Sequence, residues 1–422
     1  MELSGRVRAA PARQPAVAFS MPLGADRARV GEGSANAVAD IARQRRSWVV
    51  AHVLRRMFVD AISLGVSVLV GEGVAMEPLE ALERVAFLLE RSRAETYRVR
   101  AFRTAAAALG EMSADEIAAR ASAGSLERVK GVGPKTAKVV REALTGQLPE
   151  YLQRLEEEAT VPLAESGQRL RALLRGDCHL HSNWSDGGSP IEEMGRTAIA
   201  IGHEWAVLTD HSPRLTVAHG LSPERLREQL GIVAELNARW APFRLLTGIE
   251  CDILSDGSLD QEPDLLDQLD LVVASAHSEL RMESAKMTRR LIAAVSNPLV
   301  DVLGHCTGRL LIGRERRGGG RTGRDRPRPE SQFDAQRVFD ACAAHGTAVE
   351  INSRPERLDP PMRLLRLAVE SGVHFAIDTD AHAPGQLDWQ LIGCDRAERA
   401  GVAAELVINT WSASDLLEWT HG

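Results

Sequence analysis

The chain has 422 residues, of which 44% are hydrophobic and 26% charged, with a formal net charge of −7. This length and apolar content allow two or three domains with full cores. The mildly acidic balance excludes a polyanion binder that works through whole-chain charge, so any nucleic-acid contact must be local. Five scattered cysteines without a Cys-x-x-Cys pair argue against a disulfide framework and for a reducing, cytoplasmic setting, and nothing reads as an export signal.

Residues 1–75 form an uncertain amino-terminal extension. The first 45 are rich in Ala, Arg, Gly and Pro without sustained periodicity, which predicts disorder. Trp48 to Val70 is apolar in places, but Arg55, Arg56 and Asp60 interrupt it. The uncharged remainder is too short to span a bilayer, so no membrane association is expected. The segment fits a lineage-specific extension and an overlong gene model equally well.

Residues 76–160 are predicted to form a small helical domain, with Leu79, Leu82, Val85, Ala86 and Leu89 at helical spacing. Within it, Val129-Lys130-Gly131-Val132-Gly133-Pro134-Lys135-Thr136-Ala137 matches the helix-hairpin-helix pattern. Its two glycines permit a tight turn with backbone N–H groups exposed at a helix start, a geometry that grips DNA phosphate without reading bases. The chain has only four lysines, and three of them, Lys130, Lys135 and Lys138, fall in this hairpin. The bland reading is an ordinary αα-hairpin with a solvated face. Arg98 and Arg103, in Tyr97-Arg98-Val99-Arg100-Ala101-Phe102-Arg103, are further candidates for DNA contact. This stretch resembles the amino-terminal DNA-gripping domain of family X DNA polymerases. A linker, 161–175, follows and is expected to carry a short amphipathic helix from Glu165 to Leu174.

From residue 176 to 422, short apolar runs alternate with helical stretches and read as a βα-barrel, in which chemistry gathers at the carboxyl ends of the strands. Nearly every run ends on a potential metal ligand. The set is His179, His181, Asp186, His211, Glu250, His277, His305, Asp380 and His382. Strand alternation puts His179 and His181 on one side with Cys178 and Leu180 on the other, and likewise turns Cys251 from Glu250 and Cys306 from His305. The thiols are therefore expected in the core. Mixed imidazole and carboxylate ligation suits zinc, manganese or iron rather than calcium. His52, His203, His219, His345, His374 and His421 lie outside the motifs and are expected to be structural or solvent-facing.

Five motifs stand in order: HxHSxxSDG at 179–187, TDHS at 209–212, GxE at 248–250, AHS at 276–278 with GHCTGR at 304–309, and DTDAH at 378–382. Together they closely resemble the PHP (polymerase and histidinol phosphatase) domain, above all the version at the carboxyl end of bacterial family X polymerases. The resemblance implies a distorted (β/α)7 barrel with three divalent metal ions. His179, His181, Glu250 and Asp380 would hold one; Glu250, His277 and His305 a second, with Glu250 bridging; Asp186, His211 and His382 the third. Metals sharing a carboxylate at about 3.5–4 Å would activate a bridging water and clamp attacking and leaving oxygens. Glu250 and Asp380 are thus the central catalytic candidates. Arg309 and Arg354 could grip non-reacting phosphate oxygens, or form strand-end salt bridges.

In full-length family X enzymes a palm and a thumb separate the hairpin domain from the PHP domain. Here only about 25 residues, Pro149 to Arg175, lie between them, too few for a nucleotidyl-transfer domain. Residues 313–329 carry Arg314, Arg316, Arg317, Arg321, Arg324, Arg326 and Arg328 among glycines. This loop could hold nucleic-acid backbone or be a solvated tether. The leading expectation is a metal-dependent phosphoesterase acting on DNA, as a 3′–5′ exonuclease or 3′-end-processing nuclease without polymerase activity. The alternatives are a phosphatase of a small phosphomonoester, of the histidinol-phosphatase kind, and a non-catalytic DNA-bound accessory protein. Oligomeric state is left open.

Overall fold

The computed structural model describes residues 76–311 and 327–421. The expectations for residues 1–75, and all but the end of the Arg/Gly loop, fall outside those residues. Among the described residues no helix is long and apolar enough to cross a membrane.

Five α-helices come first: α1 (Pro78–Arg91), α2 (Thr96–Gly110), α3 (Ala114–Ser122), α4 (Pro134–Leu144) and α5 (Glu150–Ala159). The apolar stripe of α1 is buried at Leu82, Val85, Ala86 and Leu89, and packs in one core with Phe102, Leu109, Val139, Val140 and Leu152. The turn before α4 needs its first glycine. Gly131 has φ of 97°, and a Cβ there would lie 2.7 Å from Thr104 Cγ2. Gly133 caps α4, and its N–H donates to Thr136 Oγ1 at 2.9 Å.

The linker helix is shorter than expected. Only α6 (Gln168–Arg171) forms, because Gly167 at φ 95° sits against the Asp395 backbone and its N–H is bound by Glu398. This fixes where the helix starts.

Seven parallel strands then run in sequential order: β1 (Gly176–Leu180), β2 (Trp205–Leu208), β3 (Arg244–Asp252), β4 (Leu271–Ser275), β5 (Val302–Leu303), β6 (Ala348–Asn352) and β7 (Phe375–Asp378). β1 meets β7 through a parallel bridge between Leu180 and Ala381, with His181 N–H donating to Ala381 O at 2.8 Å. The sheet is thereby a nearly closed barrel. Parallel neighbours require crossovers, supplied mainly by α7 (Ile191–Ala200), α8 (Pro223–Trp240), α10 (Ser284–Val295), α11 (Ala335–His345) and α12 (Met362–Glu370); α9 (Pro263–Leu266) is a single turn, and α13 (Gln390–Ala400) and α14 (Ala413–His421) follow β7. One apolar cluster draws Val207, Leu246, Val273, Val302, Ala348 and Ala376 from six successive strands and is closed by Leu416 and Trp419 of α14. Another packs Ala274, Leu303, Val349, Ile351 and Ile377 against α10–α13. An irregularity in β1 between Asp177 and Leu180 breaks strict alternation, so Cys178 and Leu180 enter different clusters. All five cysteines are buried and unpaired in disulfides.

The helical part docks directly on the barrel. Glu90, at the end of α1, is 5% exposed and accepts from Arg103 Nη2 (2.7 Å) and from the Gly385 N–H (2.8 Å). Arg103 also pairs with Glu193 of α7. Arg91 pairs with Asp388, and Trp389 Nε1–H donates to Arg91 O at 2.9 Å. Arg103, a candidate for DNA contact by sequence, lies in this seam with both sides of its guanidinium fork on buried or half-buried carboxylates.

Candidate active site

The barrel strands deliver their polar residues at or near their carboxyl ends: His179 and Glu250 lie within β1 and β3, and His181, His211, His277, His305 and Asp380 follow β1, β2, β4, β5 and β7. Glu250, near the end of β3 and 1% exposed, lies at the centre. Its Oε1 is 2.8 Å from His305 Nε2 and 3.2 Å from His277 Nε2, and its Oε2 is 2.7 Å from His211 Nδ1 and 3.5 Å from His179 Nε2. His181 Nε2 stands 3.5 Å from Asp380 Oδ1 and 3.7 Å from Glu250 Oε2. Asp186, on the exposed loop after β1, brings Oδ1 within 3.4 Å of His211 Nε2 and 3.3 Å of His382 Nε2. All nine anticipated residues therefore converge.

Several of these atoms make no sense in a metal-free core. His179 Nε2, both ring nitrogens of His181 and His277, His211 Nδ1, His305 Nδ1 and Glu250 Oε2 are buried without a hydrogen-bond partner. Leaving so many polar atoms unsatisfied would cost about 1–3 kcal/mol apiece, whereas a shared divalent cation satisfies them together. Three groups have donors close enough to hold an ion: His179, His181 and Asp380; His211, Glu250 and His277; and His181, Asp186, His211 and His382.

Carboxylates behind the cluster orient it. Glu350 on β6 binds His179 Nδ1 at 2.6 Å and also accepts the backbone N–H of His305. Asp252 accepts the His277 N–H at 3.1 Å. Asp210 takes Ser182 N–H and Oγ–H (2.8 and 2.6 Å) and Gln229 Nε2–H (2.7 Å), fixing the loop that follows β1. Such outer groups set the tautomer and direction of a ligating ring. Asp380 sits at φ 50°, an unfavoured region for a non-glycine residue, and is held there by Asn352 Nδ2 (3.2 Å) and Arg357 Nε (2.9 Å).

The field at the site divides the histidines. Burial, with the neighbouring His382 and His211 rings, pushes His181 well below the ordinary imidazole range. Burial opposes protonation of His179 as well, but the Glu250 and Glu350 carboxylates outweigh it and hold the ring well above that range. Against burial, Arg354 and Arg357 keep Asp380 well below the usual carboxylate range. Behind the site, burial lifts Asp177 to about 6 despite bonds from Thr379.

The two candidate arginines part company. Arg354 reaches the cluster, with Nη1 at 3.3 Å from Asp380 Oδ1 and 3.0 Å from His382 Nδ1. Arg309 does not: its Nε donates to Arg357 O at 2.9 Å, its Nη2 to Leu358 O, and its Nη1 faces Glu330 at 3.6 Å. Its guanidinium braces the 354–358 turn. Arg357 takes the place expected for Arg309, bound to Asp380 and with a buried Nη1 that has no hydrogen-bond partner. Sequence reading missed Arg357 and Glu350, although the alternation in Glu350-Ile351-Asn352 aims residues 350 and 352 at one face and could have revealed Glu350.

In the hairpin, Lys130 and Lys135 are exposed beside Gly131 and Gly133. Lys138 is paired with Glu150 (2.6 Å) and Glu142 (3.4 Å). Arg98 donates to Tyr151 Oη at 2.6 Å. Of the Arg/Gly loop, Arg328 is described, and it closes a bridge with Leu310.

Comparison with known proteins finds two families along the chain. Residues 76–147 match the helix-hairpin-helix domain family and residues 177–354 the PHP domain family. The DNA polymerase/3′-5′ exonuclease PolX of Bacillus subtilis is 37% identical over 257 residues, 61% of this chain and 42% of that protein. The chain thus spans under half of that relative's length. A probable phosphatase of Thermoanaerobacter sp. is 27% identical over 245 residues, 56% of this chain and 89% of the relative. Among solved structures, a histidinol phosphate phosphatase from Lactococcus lactis, complexed with zinc, L-histidinol and phosphate, aligns with a TM-score of 0.38 at 20% identity, over 54% of this chain and 94% of that one. The chain thus carries a helix-hairpin-helix domain followed by a PHP domain.

Proposed function

We propose that this phosphoesterase hydrolyses DNA phosphodiesters, as a 3′–5′ exonuclease or 3′-end-processing nuclease. The observation that carries the reading is the combination of a full cluster of nine inward imidazoles and carboxylates with a hairpin domain docked on the same barrel. A small phosphomonoester has no use for exposed Lys130 and Lys135 beside the hairpin turn. The relation to a polymerase and exonuclease supports the exonuclease half alone, because only α6 and short loops separate Ala159 from Gly176, and a palm domain does not fit there.

His179, His181, Glu250 and Asp380, then Glu250, His277 and His305, then Asp186, His211 and His382 are the proposed ligands of three divalent ions. His181 lies close enough to share in the third set as well. Bound there, zinc, manganese or iron would supply a nucleophilic water at neutral pH and neutralise charge on phosphorus. The chain's own part is positional. Arg354 and Arg357 bring guanidinium charge to the rim, where it can take non-reacting phosphate oxygens. Glu350 holds His179 by its Nδ1 and so turns Nε2 inward. The hairpin backbone and its lysines hold the strand at its phosphates without base preference.

A small-molecule phosphatase is the second reading, favoured by relatives named as probable phosphatases that align over nearly their whole length. Manganese- or zinc-loaded protein on 5′-labelled and 3′-labelled DNA separates the two. We expect metal-dependent shortening from the 3′ end, lost by roughly 100-fold or more in Asp380→Ala. Intact DNA beside phosphate release from a monoester would overturn the nuclease.

A further inference from the structure

We infer that the helical domain is a working part of the hydrolytic site, through a relay of three side chains that runs from Arg93 to Glu356 to Arg354. Arg93 stands just past α1. Its Nε donates to Glu356 Oε1 at 2.9 Å, the other oxygen of Glu356 faces Arg354 Nε at 3.7 Å, and Arg354 Nη1 reaches Asp380 and His382. The first and last links cross from one element to another, the middle one lies within the loop after β6, and the last touches two of the inward-facing cluster residues.

Three observations support a positional role over an incidental surface pair. The first is the backbone of Arg93. The bonds from Arg93 N to Glu90 O and from Ala94 N to Leu89 O close α1 in a Schellman turn, with Arg93 at its left-handed position, φ 58°. Glycine is the residue that fits such a position without strain. An arginine there is tolerated at a cost, and what it obtains is the reach to Glu356. The second is burial along the relay: exposure falls from 33% at Arg93 to 17% at Glu356 and 12% at Arg354. The charges grow less screened toward the cluster, which lets the 3.7 Å step from Glu356 to Arg354 act through the field without a hydrogen bond.

The third is a parallel contact on the same loop. Glu90 binds the Gly385 N–H, the Phe87 carbonyl leaves no room for a Cβ at Gly385, and Gln386 Oε1 accepts the His382 N–H at 2.7 Å. The carboxyl end of α1 thereby braces the Asp380–Gln386 segment from one side, while Arg93 sets Arg354 from the other. Arg93 and Glu356 are positioning residues; they act on the reacting groups through Arg354.

The inference rests on the cluster being a phosphoesterase centre, and the test uses a substrate too small to touch the hairpin. With bis(p-nitrophenyl) phosphate and manganese-loaded full chain, Arg93→Gly is expected to lower kcat by about 5–20-fold with KM within about twofold. Its melting temperature should be unchanged or higher, because the left-handed position is relieved. Arg93→Lys should restore part of the loss. Glu356→Gln should lose as much as Arg93→Gly, and the double variant no more than either single one, since both cut the same chain. A folded Arg93→Gly with wild-type kcat, or losses that add in the double variant, would overturn the relay.

The same proteins loaded with cobalt(II) give a readout independent of turnover. The visible absorption should change in Arg93→Gly. If the wild type cleaves the probe and leaves DNA intact, only the DNA reading fails. If it cleaves neither, the phosphoesterase reading fails and the cobalt spectrum alone decides the relay, an unchanged spectrum refuting it.

Discussion

At the scale of single residues, Glu350 shows how much of the site's chemistry sits one layer behind the inward-facing cluster. It is fully buried, bonded to His179 Nδ1 and to the His305 backbone, and joined to Asn352 Nδ2 at 3.2 Å. Losing its charge frees the His179 ring to turn. Glu350→Gln is expected to weaken metal affinity about 10–100-fold while leaving the barrel folded, as metal titration followed by circular dichroism would show; unchanged affinity would remove Glu350 from the account. The inward-facing residues themselves were legible because their motifs are spaced along strand ends, and period-two alternation sorts His179 and His181 from Leu180. The arginines were not. Arg309 and Arg357 both lie on irregular backbone, where sequence gives no direction to a side chain, and a Leu358 at φ 47° turns the segment so that Arg357 enters the site and Arg309 braces it from behind.

At the scale of elements, the hairpin between the 126–128 turn and α4 is where DNA affinity should be read. Lys135 is exposed at the first turn of α4, with Nζ 5.6 Å from the Tyr151 ring centroid. Lys138 is tied to Glu150 and Glu142, and this local bonding raises its pKa. Lys135→Ala should weaken DNA binding evenly across sequences and reduce the log–log salt slope by about 1. Lys138→Ala should do less, because its charge is already compensated. Fluorescence anisotropy over a salt series measures both, and a slope unaffected by Lys135→Ala would place the DNA elsewhere. The helices were legible from periodicity and the turn from its glycines. The extent of the linker helix was not, because α6 begins where Gly167 meets the backbone of α13, a contact between residues more than two hundred positions apart.

At the scale of the whole molecule, the helical domain and the barrel share a seam that nothing in the sequence announces. Glu90, Arg91, Arg103 and Glu193 look like ordinary charges on helix faces. They become a docking surface only because Gly385 and Trp389 present a backbone N–H and an indole N–H to the end of α1. What the chain order did carry is the spacing: with so few residues between the hairpin domain and β1, the proposed DNA grip is tethered close to the barrel. That adjacency is the reason to expect a polymer substrate.

The measurement that bears most directly on this reading is the ratio of kcat/KM for a DNA 3′ terminus to that for L-histidinol phosphate, taken on one manganese-loaded preparation at one salt concentration. For a DNA-processing enzyme the ratio lies well above one and falls when Lys130 and Lys135 are both replaced by alanine, while the rate on histidinol phosphate is unmoved. A ratio well below one, indifferent to those lysines, would contradict that reading and make the barrel a small-molecule phosphatase.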